Sequence, residues 1–465
     1  IMMGLSLGST LTNSEIERIH VHSLDLLERV GIDYKTPEAI KILEKAGCPV
    51  DYERTWASLP RDLVEWALRQ VPRVVHLEAR HPSHDVVLDG RRSYNTNDSQ
   101  GTQAIDLLSG ELRDSTAEDL RLGVLFADAL DKVDIVNTIV AAGDVPAHLR
   151  TLQQFAIAFS NTSKPVRSSV LNAKQVPFLV EIVKAVTGSQ TFRPVFSVVD
   201  CTISPLMHDG EMTAACIELA KLNVPIMVYP MPLAGGTSPV TLAGTVLVHN
   251  VELLSALVLF QVVNPGTPII YGAGASQLDM HTGRYGGSAD GHSMRLALID
   301  MSRFYHLPVN MWGISTNSPG LDAQYGYEAC LQTLLAYLAR ADEIYSVGLL
   351  GSAQILSLEK MVLDNHLLRE IETAVKPIQV DEEHLQIDLI EKVGIGGSFL
   401  SARKTRDFTR QEYIRMWPPA GTRVSEIVRQ EALDIYHNHK PPALPEGAAD
   451  QIEAILIAAD KELIN

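Results

Sequence analysis

Four cysteines in 465 residues, Cys48, Cys201, Cys216 and Cys330, stand too far apart to form a CxxC pair. That excludes a zinc ribbon and a disulfide framework. HExxH is also absent, and His437-Asn438-His439, beside Lys440 and two prolines, has the look of an exposed helix end; no structural or catalytic metal is expected. Lysine and arginine number 39 against 56 acidic residues, a formal charge of −17, with no basic cluster to neutralise phosphates. Nucleic-acid binding is excluded as a general function, and the acidic balance is the ordinary solubility of a cytoplasmic protein. No uninterrupted apolar run reaches membrane-spanning length, and residues 1–12 lack a basic segment followed by a sustained apolar one, so neither a membrane nor a secretory signal is expected.

What is present is a globular composition, 46% hydrophobic and 20% charged, enough for a sizeable core. Residues 1–90 read as a helical N-terminal region, opened by the capping box Thr12-Asn13-Ser14-Glu15 and the amphipathic run 16–30. From residue 133 onward, short β-branched or aromatic runs alternate with helix-length segments. Strands are expected at 133–140, 165–170, 194–199, 225–229, 267–271, 308–312 and 343–347, with an eighth between 94 and 105 of uncertain limits. Most are apolar and several follow a proline, the grammar of a parallel sheet covered on both faces. The expected fold is an α/β (β/α)8 TIM-type barrel over 91–370, with helical extensions at 1–90 and 371–465. A second capping box is read at Thr409-Arg410-Gln411-Glu412. The long helical periphery suggests a homo-oligomer.

Barrel enzymes carry their reactive groups at the C-terminal ends of strands. Those positions hold Ser168 and Ser169, Asp200 and Cys201, Tyr229 and Met231, Tyr271 and Gly272, then Trp312 and Gly313. A single aromatic ring there more often fills the barrel top. The set suits a quaternary ammonium ion, whose diffuse charge is attracted by ring faces. Trp312, Tyr271, Tyr229 and Tyr94 are the candidate cage. The polar loops 272–291 and 313–320 have the character of ligand-covering loops, and His281, Arg284, His292, Arg295 and Asn317 are candidates for holding a carboxylate. Gly235-Gly236-Thr237-Ser238, before a helix near Leu242, offers backbone N–H groups to an anion, and with Gly272 forms the candidate cofactor contact. Neither a Walker loop nor a complete dinucleotide fingerprint is present.

The blocks at residues 235–244, 263–272, 322–328 and 362–365, in register over most of 90–370, resemble the trimethylamine methyltransferase family. The resemblance implies a barrel whose mouth receives the corrinoid of a separate protein, with cob(I)alamin as nucleophile; Gln324 of the Asp-Ala-Gln motif is then a candidate for positioning substrate or corrinoid, beside Trp312 and Asn317. Founding members carry pyrrolysine in the preceding loop, where this chain has ordinary residues from Gly313 to Leu321. That departure points to the branch resembling glycine betaine methyltransferase. A quaternary amine already has a neutral leaving group, so its transfer needs neither Lewis acid nor general acid. The expected donor is a betaine, glycine betaine first, with trimethylamine, proline betaine, carnitine and γ-butyrobetaine as alternatives.

Two rival readings remain. Metal or Schiff-base chemistry at the mouth needs a His cluster or a buried lysine at a strand end, and Lys164 precedes its strand. A betaine- or corrinoid-binding protein without turnover would use the same residue types.

Overall fold

The computed structural model describes residues 7–283, 285, 289–412, 417–419 and 421–464. Its first helix starts where local chemistry dictates. The Thr12 side chain accepts from the Glu15 amide, and the Glu15 carboxylate takes the Thr12 amide in return, which satisfies two donors at the start of α1 (Asn13–Arg29). Two more helices follow, α2 (Pro37–Lys45) and α3 (Arg61–Gln70). The region is less helical than the sequence suggests: short strands at Ile32–Asp33, Val50–Asp51 and Trp56–Ala57 join it into a small sheet, and Val75–Leu77 pairs with Val86–Leu88 as a hairpin.

Eight parallel strands form the centre: β1 (Tyr94–Asn97), β2 (Val136–Asn137), β3 (Val166–Ser168), β4 (Phe196–Asp200), β5 (Ile226–Val228), β6 (Ile269–Ala273), β7 (Val309–Trp312) and β8 (Glu343–Val347). Neighbours pair in chain order, β8 pairs with β1, and bridges from Thr96 to Ile135 and Gly101 to Val140 close the ring. At that last seam side-chain amides take over from the backbone ladder. Asn97 Nδ2 donates to the Asn137 carbonyl and Asn97 Oδ1 accepts from the Asn137 amide, each at 2.8 Å, so the polar run of β1 is buried without orphaned groups.

A helix follows every strand: α4 (Ala117–Ala129), α5 (Ala147–Asn161), α6 (Val176–Thr187), α7 (Gly210–Lys221), α8 (Leu242–Val263), α9 (Ala289–Phe304), α10 (Ala323–Leu338) and α11 (Leu358–Ala374). Helices α1, α2 and α3 lie on α8. This gives α8 partners on both sides: it has the length and apolarity of a membrane span, yet most of it is buried inside the protein, and His249, Asn250 and Glu252 along it are all hydrogen-bonded. The C-terminal helices Val424–Asn438 and Ala448–Leu463 pack on α4 with α11 and on α5 with α6 respectively. Thr409 sits inside the helix Arg403–Glu412, its hydroxyl bonded to the Thr405 carbonyl, so the second capping box does not form.

The barrel interior is layered. At the N-terminal end, the hairpin of Val75, Leu77, Val86 and Leu88 plugs the ring against Tyr94, Ile135, Met227 and Ile270. Above it, Arg167 and Glu343 make a bidentate pair at 2.6 and 2.7 Å, both fully buried, with Ser197 and Asn310 holding the remaining polar positions. A buried pair so completely hydrogen-bonded is one the interior tolerates. It forms the floor of the space above.

Candidate active site at the barrel mouth

Above that floor, a cavity of about 230 Å3 opens among the C-terminal strand ends. Asp98 and Ser99 line it from β1, Ser168 and Ser169 from β3, Cys201 from β4, Tyr229 and Met231 from β5. Tyr285 comes from the loop after β6, Trp312 and Asn317 from β7 and its loop, and Tyr345 from β8. The rings face one another in two pairs, Tyr229 with Tyr345 and Tyr285 with Trp312, each with centroids 6.3 Å apart.

Glycines make room for one of these rings. A Cβ at Gly272 would stand 2.1 Å from Tyr229 Cδ2, and one at Gly274 would stand 2.8 Å from Tyr229 Cε1. No side chain could replace either hydrogen with the ring in place.

Arg295, from α9, is the most unusual group. It is fully buried, its guanidinium 5.0 Å from the Trp312 ring centre, and Nη2 donates to His292 Nδ1 at 2.8 Å. Among the described residues, Nε and Nη1 have no partner, and the Trp312 indole N–H is directed at the Tyr229 hydroxyl. Burial lowers the Arg295 pKa to about 10, which leaves it charged at neutral pH. Burial, and then the Arg295 charge, lower that of His292 to about 4, so the imidazole is neutral and accepts from the guanidinium. Burial also pushes the Tyr229 phenol well above its usual value, against the pull of Arg295.

The opposite charge enters from β1. Asp98 accepts from the Ser99 amide at 2.8 Å, and the Ser99 hydroxyl meets the Tyr345 hydroxyl at 2.7 Å. Burial raises the Asp98 pKa to about 6, although the Ser99 and Tyr345 hydrogen bonds favour the carboxylate. Both Asp98 and Arg295 act electrostatically on Tyr229. The site thus offers π faces and one carboxylate to a cation, while a guanidinium with unpartnered nitrogens stands buried behind its Trp312 wall. Among the described residues no group of three His, Cys, Asp or Glu is placed to hold a metal ion.

Of the residues singled out from sequence, Trp312, Tyr229 and Asn317 line this cavity, and Arg295 and His292 lie behind its wall. Others are elsewhere. Tyr271 points out of the barrel, stacking on His249 and donating to Asn250 of α8, because it alternates with the inward Ile270. Tyr94 sits at the plugged end among Leu88 and Met227, with Arg92 over its ring. His281 is exposed, its amide held by Asp279. Gln324 Nε2 donates to Glu328, which in turn takes the Thr316 hydroxyl and the Asn317 amide; Gln324 reaches the site only through that chain. The amides of Gly235, Gly236, Thr237 and Ser238 are consumed within their own turn by Ser238 and Leu233 carbonyls, and Gly272 packs against Tyr229, so neither forms an anion cradle. Arg284 lies outside the described residues.

Asp98, Tyr285 and Tyr345 were not anticipated. Asp98 ends the polar run of β1, whose limits the sequence left uncertain, and Tyr345 lies inside the last strand rather than after it.

The remaining motif residues shape the loops. Asp322 caps α10 through the Tyr325 amide, and the Tyr325 hydroxyl donates to Asp364. Asp364 also takes the Gly348 amide and the Lys360 ammonium, the latter at 2.6 Å, while Lys360 reaches the Ile314 carbonyl. One buried carboxylate so ties α10, α11 and the loops after β7 and β8 together, and it fixes the side of the mouth that carries Trp312.

A closed parallel barrel with a ring-walled cavity at its C-terminal face has the architecture of the TIM-barrel enzymes, whose reactive groups gather at that face. The model of the trimethylamine methyltransferase (MTTB) family matches residues 3–459, and the chain belongs to that family of methyltransferases. It is 31% identical to trimethylamine methyltransferase MttB of Desulfitobacterium hafniense over 97% of this chain and 94% of that one. It is 30% identical to MttB of Methanosarcina thermophila over 92% and 93%. With the glycine betaine methyltransferase of Desulfitobacterium hafniense it shares 27% over 97% of both chains. Among solved structures, the Methanosarcina barkeri monomethylamine methyltransferase (MtmB) superposes with a TM-score of 0.50 at 12% identity, covering 99% of this chain and 95% of that one. A hydroxylamine complex of MtmB gives 0.54 at 12%, covering 98% and 88%. Both support the fold.

Proposed function

We propose that this enzyme takes a methyl group from a quaternary amine, with glycine betaine the best-fitting donor, and hands it to cob(I)alamin carried by a separate corrinoid protein. The observation that carries the reading is Arg295: a buried cation beside Trp312 whose Nε and Nη1 nitrogens have no partner. Such a group is costly without a ligand and strongly favours a carboxylate. A zwitterion with its ammonium among Tyr229, Tyr345, Trp312 and Asp98 and its carboxylate toward Arg295 meets both demands. Trimethylamine has no carboxylate, so the buried guanidinium would only repel it. Proline betaine, carnitine and γ-butyrobetaine obey the same logic with longer or bulkier frames.

A cavity of about 230 Å3 suits such a donor and is far too small for a corrin ring, so the macrocycle would meet the methyl group at the mouth. Exposed apolar side chains on the strand-end loops, Leu171, Ile203, Met231, Val240, Met280 and Leu321, suit the docking of a protein there. The corrinoid supplies the nucleophile. The chain's own residues orient one methyl outward and exclude water, which accounts for most of the acceleration such a transfer needs. The four cysteines are free, in keeping with a cytoplasmic enzyme.

Turnover of Trp312→Ala with glycine betaine and reduced corrinoid protein tests the cage. A drop of roughly 10-fold or more is expected from losing a desolvated cation–π contact of about 2 kcal/mol; near-normal activity would remove Trp312 from the site.

A further inference from the structure

Left-handed backbone is sterically costly for any residue but glycine, and it gathers at the mouth. Gln100, Ser346, Ser352 and Ala353 have φ of 64, 104, 59 and 63°, and all four line the cavity. Such strain persists only where the surrounding structure enforces it, and it clusters at binding sites. With Gly351 at φ 60°, Ser352 and Ala353 form the tip of the hairpin that pairs Leu349–Leu350 with Ile355–Leu356 just after β8. Glycine or asparagine is the ordinary occupant of such a position. A serine there keeps a hydroxyl that glycine would lack.

That hydroxyl donates to Asn317 Oδ1 at 2.8 Å. The main chain of Ser352 is held on both sides: its amide donates to the Thr316 carbonyl at 2.9 Å, and its carbonyl accepts from the Tyr285 hydroxyl at 3.4 Å. Asn317 is fixed through its backbone as well, its amide and the Thr316 hydroxyl both donating to the buried Glu328 of α10. The carboxamide is therefore pinned at its oxygen, while Nδ2 has no partner among the described residues and Asn317 lines the cavity. Asn317 follows β7, whose last residue, Trp312, is the ring that stands between Arg295 and the cavity. A cation behind a ring attracts an anion but cannot donate a hydrogen bond to it through the ring. The donors that reach an anion must come from residues lining the cavity.

We infer that Asn317 donates its amide N–H to the carboxylate of the bound methyl donor, and that Ser352 is the positioning residue that turns this amide into the cavity. The inference rests on the zwitterionic donor proposed above and names the direct contact of its anionic end. A carboxamide whose oxygen is occupied by Ser352 presents only N–H groups at its free end. The pair thus selects for an oxygen acceptor and gives nothing to a methylated ammonium without one. The left-handed tip is what holds the Ser352 hydroxyl in place; glycine there would relax the backbone and release Asn317.

Titration calorimetry with glycine betaine and with tetramethylammonium, its carboxylate-free counterpart, tests this beside urea unfolding of the same proteins. Asn317→Ala should raise the Kd for glycine betaine roughly 10-fold or more and leave that for tetramethylammonium within about twofold. Ser352→Gly should raise the glycine betaine Kd roughly 3- to 10-fold, with tetramethylammonium unmoved, in a protein about as stable as the wild type. Ser352→Ala keeps the strain without the hydroxyl and should show the same selectivity at lower stability. A purely structural Ser352 would weaken both ligands alike. Equal weakening of both, or an Asn317→Ala protein that keeps the wild-type preference for glycine betaine, would overturn the inference and leave the proposed donor standing. A wild type that binds tetramethylammonium and not glycine betaine would overturn the donor, and this contact with it.

Discussion

Replacing Arg295 by methionine should separate binding from stability. The guanidinium is fully buried, and two of its donors have no partner among the described residues. Each buried unsatisfied donor costs about 1–3 kcal/mol, so removing both relieves about 2–6 kcal/mol. Against this stand the contact with Trp312 at 5.0 Å and the hydrogen bond to His292 at 2.8 Å, together worth about 3 kcal/mol. Methionine fills similar volume, so packing changes little. The net change in unfolding free energy should fall between about −1 and +3 kcal/mol, from slightly destabilising to clearly stabilising. Binding should move the other way. A charge-assisted hydrogen bond contributes about 1.5–3 kcal/mol, so the Kd for glycine betaine should rise roughly 10- to 150-fold, while trimethylamine should bind no worse. Urea unfolding and titration calorimetry on the same preparation measure both. A variant less stable by more than about 3 kcal/mol that binds glycine betaine within threefold of wild type would show Arg295 to be structural and refute the reasoning.

Two further outcomes follow from the opposite wall and from the glycine slot. Asp98 has a folded pKa of about 6 against 3.8 for the free side chain, so the native state holds its proton more tightly. Its stabilising contribution is complete below about pH 3.8, is lost as pH rises through 6, and stands at a deficit of about 3 kcal/mol above that. Asp98→Asn should abolish this slope in urea midpoints measured from pH 4 to 8, and should also remove a rise in quaternary-amine affinity through pH 6; an unchanged slope would count against the assignment. Gly272→Ala should lower stability by about 3 kcal/mol or more and impair turnover, because its Cβ would stand 2.1 Å from Tyr229 and 2.7 Å from the Val228 carbonyl; a normal melting temperature would show that the ring moves freely.

Tyr271 and Tyr345 depart from expectation for one physical reason. In a parallel barrel both faces of a strand are apolar, so side-chain parity is not written in the hydrophobic pattern. Tyr271 therefore read like Tyr229 although it points toward α8, and Tyr345, which faces inward, went unnoticed. Tyr94 failed differently: it begins its strand, and only a residue at the other end of β1, Asp98, reaches the mouth. The turn at 235–238 had the composition of an anion cradle, but its amides are spent on its own carbonyls, a matter of backbone geometry that composition does not encode.

The amino-acid sequence by itself determined the repeat. Proline-led, β-branched runs alternating with helical segments specify seven βα units and leave the limits of the eighth strand open, and the Thr12–Glu15 box specifies where α1 begins, because propensity and capping act over a few residues. The amide pairing of Asn97 with Asn137 at the closing seam, the hairpin that plugs the ring and the meeting of Arg295, Trp312, Tyr229 and Asp98 were decided by tertiary structure alone. Those groups are separated by up to about two hundred residues of chain, and the buried guanidinium is unpartnered only because of which side chains pack around it.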